Sequence, residues 1–297
     1  MIRTRNILVG LFITGVVALF FFMIWVSIWG LSKHRGLSFM PAGDKIAVIE
    51  INEVIESSDY FVRQLKKYGD DSSIPAIVLR INSPGGAVAP VQEIYNQVLK
   101  VREEGTYIIV SISSIAASGG YYIASAADTI LANPGSLTGS IGVIFSYFTF
   151  EALMDKIGVN LEIVKSGDLK DVGNISREMT QKEREMLQAA IDDTYNQFVM
   201  AVSEGRNLEI DRIEELADGS IFTGNQALEF GLVDKLGGFE DAIALASEMT
   251  GLGDDPQIVR EYPRRRGLLD YFLEKAALLL NLSVPEQTWP KLEYIYK

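Results

Sequence analysis

The amino-acid sequence predicts an α/β fold, a core of βαβ units around a mainly parallel sheet, preceded by one N-terminal transmembrane helix. Three observations carry this reading. The uncharged run ILVGLFITGVVALFFFMIWVSIWGL from Ile7 to Leu31 is longer than the roughly 20 residues that cross about 30 Å of hydrocarbon. Beyond it, short β-branched runs alternate with helix-like stretches, the pattern of strands joined by crossover helices. Glycine-rich segments follow several of those apolar runs, where strand hands over to turn or helix.

Taken in order, the first element is the membrane segment. It exceeds the apolar stretch of a cleavable signal, no Ala-x-Ala-like site follows it, and Trp25 and Trp29 stand near one end, so it reads as a retained anchor. Arg3 and Arg5 on one side oppose Lys33 and Arg35 on the other, and flanking charge leaves its orientation open. After a linker through Pro41, strands are expected at Lys45–Ile51, Ala76–Ile81, Tyr107–Ser113, Thr129–Ala132 and Leu161–Lys165. Helices are expected at about Ser58–Tyr68, Val88–Glu104, Ser118–Ala127 and Phe150–Ile157. A long amphipathic helix follows from Thr180 to about Gly205, with Thr180 as N-cap and Glu183 as its capping-box partner. From about Gln257 basic residues outnumber acidic ones, and Leu268–Leu282 reads as a largely apolar helix suited to packing on the body, a neighbouring subunit or a membrane surface. The chain thus divides into 1–35, 36–256 and 257–297.

Composition narrows the chemistry. The 297 residues include no cysteine, which removes disulfides, thiolate nucleophiles and cysteine-containing metal sites. The one histidine, His34, flanks the membrane segment, so multi-histidine metal sites are excluded and a histidine-based serine triad has no usable base. The formal charge of -12 argues against nucleic acid as a general partner.

Three glycine-rich segments hold the candidate chemistry. Asn82-Ser83-Pro84-Gly85-Gly86 follows the strand AIVLRI, and its Gly-Gly pair admits close backbone approach; it could equally be an ordinary tight turn. Ala116-Ala117-Ser118-Gly119-Gly120-Tyr121-Tyr122 follows TYIIVSIS and opens a helix. Ser118 there has the setting of a nucleophile whose oxyanion would meet the helix dipole and a free amide, but serine at that position is also a common N-cap. Lys165-Ser166-Gly167-Asp168-Leu169-Lys170-Asp171 supplies two lysines, either of which could serve as base if desolvated. Position alone does not choose between Lys165 and Lys170.

The blocks NSPGG at Asn82–Gly86, ASGGYY at Ala117–Tyr122, NPGSLTGSIGVI at Asn133–Ile144 and KSGDLKD at Lys165–Asp171 resemble the signal peptide peptidase SppA family of membrane-anchored serine peptidases, over roughly Lys45–Thr250. The resemblance implies a ClpP/crotonase-like core and a Ser-Lys dyad with Ser118 as nucleophile and Lys170 as general base. It also implies oxyanion-hole amides at Gly85 and Gly119, and Ser140 holding the lysine. Hydrophobic peptides such as signal-peptide remnants are the implied substrates, with no cofactor or metal. The implied setting is a homo-oligomeric ring on the cell membrane, its catalytic domain extracytoplasmic, an arrangement that allows the lysine to come from the neighbouring subunit. Asp171 must then face away from Lys170, since a carboxylate beside it would raise the lysine pKa. The competing readings are a crotonase-type acyl-CoA enzyme, an inactive membrane scaffold that binds hydrophobic peptides, and a related ClpP-class membrane protease.

Overall fold

Alternate residues of the central strands go to opposite faces, and here both faces are apolar. A strand so composed must be covered on two sides, as parallel sheets are. A computed structural model describes Phe22, residues 44–261 and residues 292–296. The expected membrane segment, apart from Phe22, His34 and the Leu268–Leu282 helix lie outside the described residues. Among those described, no helix is long and apolar enough to cross a membrane.

The chain runs β1 (Lys45–Asn52), α1 (Asp59–Gly69), β2 (Ala76–Ser83), β3 (Gly85–Ala87), α2 (Val88–Glu103), β4 (Tyr107–Ala117), α3 (Gly119–Ser125), β5 (Thr129–Ala132) and β6 (Leu137–Gly139). It continues through α4 (Glu151–Ile157), a 3-10 turn (Asp168–Asp171), α5 (Gln181–Arg206), α6 (Ile210–Leu216), β7 (Ile221–Thr223), α7 (Gly224–Glu229), β8 (Lys235–Leu236), α8 (Phe239–Thr250), β9 (Gln257–Arg260) and β10 (Glu293–Ile295). The principal sheet has the order β7-β6-β4-β2-β1-β9, with β5 and β8 also attached through β4. All its pairings are parallel except β6 with β7. The described residues from Asp44 onward belong to one compact unit.

The two faces sort cleanly by residue parity. Ile46 and Val48 of β1, Ala76 and Val78 of β2 and Ile109 of β4 pack under Ala242, Ile243 and Ala246 of α8. Ala47, Ile49, Ile51, Ile77, Leu79, Ile81, Ile108, Val110 and Ile112 face the other way, into a larger core shared with α1, α2, α3 and α5. Four of the five expected strands form, and β4 extends further than expected, to Ala117. Thr180 and Glu183 form the expected reciprocal capping box at the start of α5.

The fifth expected strand, Leu161–Lys165, does not form: these residues have no regular structure and all are exposed. Their alternation suits a strand, yet no described sheet edge meets them, and an unpaired segment gains nothing by extending. The same holds for their surroundings, because α4 buries no residue and Phe148, Leu153, Ile157 and Val164 all lie open.

Candidate active site

Parallel strands that end together leave a crevice beyond their carboxyl ends, and the candidate residues gather there. β4 passes directly into Ser118 and then α3. Ser118 is held at φ 52° and ψ -118°, a region that costs a non-glycine residue roughly 1–3 kcal/mol. Two bonds fix it: its N–H donates to Gly139 O at 2.8 Å, and its carbonyl accepts from Tyr122 N–H at 2.8 Å. Every residue of α3 is buried, and Tyr121 anchors the helix by donating to Leu232 O at 2.8 Å. Tyr122 stands against Tyr95, Phe198 and Tyr294 with ring centroids 4.8, 4.8 and 5.1 Å away. Burial pushes the Tyr95 phenol up to about 12 and the Tyr121 phenol higher still. Ser118 makes no capping hydrogen bond, so the N-cap role open to it in the sequence is not the one it takes.

A cleft of about 600 Å³ opens over Ser118, with Ser140, Ile141, Gly142, Tyr195 and Gly219 in its walls. Ser140 is also at positive φ (49°), and its N–H donates to Ser220 O at 2.7 Å. Two of the four non-glycine residues at positive φ among the described residues therefore face one cleft.

The Gly-Gly pair forms β3 beside it. The Gly85 carbonyl accepts from Ile55 N–H and the Ala87 N–H donates to Ile55 O, both at 2.9 Å. By strand alternation the Gly86 amide points the opposite way, towards Tyr294 of β10. Only glycine fits at this residue, since a Cβ there would stand 2.0 Å from Ile55 O. Gly119 lies across from it: a Cβ on Gly119 would come within 3.2 Å of the Gly86 nitrogen. The Gly85 amide itself donates to Ser83 Oγ at 3.1 Å.

Lys170 is elsewhere. It sits exposed in the 3-10 turn, in a shallow depression with Gly167, Leu169 and Lys182 that is distinct from the Ser118 cleft. One chain thus brings together Ser118, Ser140, Gly119 and the Gly85-Gly86 pair, and leaves the lysine outside. Asp171 is turned to other partners: Lys165 Nζ donates to it at 2.5 Å, and Arg177 stands 3.0 Å away. The hydrogen bond from Lys165, supported by Arg177 and Asn174, holds the Asp171 carboxyl well below the usual carboxylate range. The Arg177 guanidinium, with the Thr180 amide, likewise lowers Glu183 to about 2. Among the described residues no three acidic or histidine side chains cluster as a metal site requires.

Sequence reasoning missed two contributors. One is the Gly86 amide, whose direction depends on the bridge to Ile55, a long-range contact no local pattern encodes. The other is β10, whose Glu293–Ile295 pairs antiparallel with β3 at the mouth of the cleft. The alternation in Leu292–Tyr296 was a readable strand signal.

A serine at a strained strand-to-helix junction, with closely packed glycines beside it at the carboxyl ends of a parallel sheet, fits the class of α/β serine hydrolases. The model of peptidase family S49 matches residues 100–253, and that of the Clp protease family matches residues 44–135. The chain is 46% identical over 212 residues to a Synechocystis sp. protein named as a protease, covering 71% of this chain and 76% of that one. It is 34% identical over 224 residues to Protease 4 of Haemophilus influenzae, covering 72% of this chain and 36% of that protein. It is 35% identical over 223 residues to the chloroplastic serine protease SPPA of Arabidopsis thaliana, covering 75% of this chain and 31% of that one. The chain belongs to peptidase family S49, the signal peptide peptidase SppA family, and is a serine peptidase with a ClpP-like domain.

Proposed function

We propose that the chain is a membrane-anchored endopeptidase that works through a Ser118–Lys170 dyad, cuts hydrophobic peptides such as signal-peptide remnants, and is completed by a neighbouring copy of itself. The observation that carries the reading is the strained placement of Ser118 on the wall of the cleft, next to Gly119 and close to the Gly85-Gly86 pair. In this mechanism neutral Lys170 accepts the Ser118 proton, and Oγ attacks the peptide carbonyl. Amides of Gly119 and of the Gly85-Gly86 pair receive the charge that develops on its oxygen, a contribution of about 3–4 kcal/mol per donor in other serine hydrolases. Lys170 returns the proton to the leaving amine, and water then releases the acyl group. Ser140, across the same cleft, would hold the lysine.

The exposed lysine is explained by assembly. Lys170 rides on a segment whose apolar side chains, Leu153, Ile157, Leu161 and Val164 among them, are uncovered in a single chain. A second copy would cover them and could deliver the lysine to the adjacent Ser118. The engagement of Asp171 with Lys165 and Arg177 leaves Lys170 without that carboxylate, as a base requires. The N-terminal run would hold the cleft beside membrane-embedded peptides, with the catalytic domain extracytoplasmic.

A serine-directed fluorophosphonate probe tests the chemistry. The assembled full chain is expected to label at Ser118 and to lose both labelling and peptide hydrolysis on Ser118→Ala. Hydrolysis that survives Ser118→Ala would remove the assignment, and absence of hydrolysis in the unmodified chain would favour a peptide-binding scaffold.

A further inference from the structure

The cleft over Ser118 carries charge of one sign. Among the described residues that line it are two carboxylates, Asp192 and Asp218, and no lysine or arginine. Neither carboxylate has an ion-pair partner among the described residues, whereas Asp128, Asp171 and Asp234 each meet a cation.

Both are held by neutral donors. Asp218 stands in the turn before β7, where its Oδ1 accepts from the Ser220 amide at 2.9 Å. The Ser220 carbonyl in turn accepts from the Ser140 amide at 2.7 Å, and Gly139, whose carbonyl fixes the Ser118 amide, pairs with Ile221 of β7. The Asp218 turn is thus tied to the same backbone that fixes Ser118. Hydrogen bonds from the Ser220 side chain and amide hold the Asp218 carboxyl below its ordinary range. Asp192 comes from α5, on the helix face it shares with Gln188, Ile191 and Tyr195. Gln188 Nε2 donates to its Oδ1 at 2.7 Å. An amide donor orients a carboxylate and leaves its charge in place.

Ile295 and Tyr296 border the same cleft, so a peptide running along β3 as β10 does brings the residues that follow the reacting carbonyl between these carboxylates. A cation there is attracted by both, and an anion is repelled by both.

We propose that Asp192 and Asp218 are specificity residues, and that they make the cleft prefer a peptide with lysine or arginine one or two residues after the cleaved bond. The inference rests on Ser118 as nucleophile of the proposed peptidase, and it adds a basic flank to an apolar substrate. Apolar stretches followed by lysine or arginine are what membrane segments present where they meet water.

The test uses quenched peptides Leu-Ala-Leu-Ala-Xaa-Ala, with Xaa as lysine, glutamine or glutamate, on the assembled full chain in detergent. Products are read by mass spectrometry, and rates are taken for cuts that leave Xaa one or two residues after the broken bond. Lysine is expected to exceed glutamine in kcat/KM by about two- to five-fold, and glutamate by roughly five- to twenty-fold. The lysine-to-glutamate ratio should fall toward one between about 0.01 and 1 M salt. It should fall likewise in Asp192→Asn with Asp218→Asn, which keeps the oxygens that Gln188 and Ser220 bond. The salt series on the unmodified chain decides the matter even where the double variant does not fold. Equal turnover of lysine and glutamate peptides overturns the proposal and leaves the peptidase intact. So does a change in the double variant shared equally by all three peptides, which would place the carboxylates in assembly or around the general base. Binding of the dye-labelled lysine and glutamate peptides to assembled Ser118→Ala separates the two readings. Lysine-selective binding without hydrolysis by the unmodified chain would sustain the charge preference and fail the nucleophile, and unselective binding would fail the preference.

Discussion

At Ser118, the proposed nucleophile, the backbone is strained. Its φ of 52° is imposed by β4 on one side and buried α3 on the other, with no capping bond in return. Replacing it by glycine relieves the conformation and removes the hydroxyl together. Ser118→Gly is therefore expected to be more stable than Ser118→Ala by about 1 kcal/mol in denaturant unfolding, with both inactive. Equal stabilities would mean the position is unstrained. Ser118 as a candidate was legible because its chemistry follows from residue type and from the glycine beside it. The direction of the Gly86 amide was not legible, since it is set by Ile55, far off in sequence, bonding to Gly85 and Ala87 and thereby leaving Gly86 to face β10.

Among the elements, the legible ones are those that bury their own pattern. β1, β2, β4 and β5 are apolar on alternate or all residues and find partners within the chain, so composition and length suffice to place them. Leu161–Lys165 has an equal signal and no partner, and the difference lies in tertiary context that a single sequence does not contain. The segment is instead held by charge: Lys165, Asp171, Arg177 and Glu183 form a chain of ion pairs leading to the Thr180 cap. Because the folded state depresses the Asp171 and Glu183 carboxyls, their contribution is complete above the unfolded carboxylate values near pH 4. It is lost as pH falls through about 2 for Glu183 and lower for Asp171. Residues 160–183 are expected to become pepsin-sensitive below about pH 4 before the sheet does, and Arg177→Gln is expected to raise the pH at which they open. Simultaneous exposure of segment and sheet would contradict this.

On the scale of the whole molecule, one chain presents the proposed nucleophile apart from its proposed base, and an apolar segment without cover. Both follow if the working unit is larger than one chain. Mixing Ser118→Ala with Lys170→Ala subunits is expected to restore activity that neither variant has alone, approaching a quarter to a half of the unmodified level. Dilution of the unmodified enzyme should lower specific activity. Recovery of nothing on mixing, with proven subunit exchange, would place the lysine in the same chain as its serine.

The pairing of β10 with β3 also bears on solubility. A strand edge left unpaired recruits strands from any unfolded chain it meets. The Leu292–Tyr296 segment closes that edge with a strand tethered at high local concentration, so foreign strands must displace it before they can add. Removal of the Leu292–Tyr296 segment is therefore expected to give a chain more prone to edge-to-edge aggregation, read by light scattering during refolding.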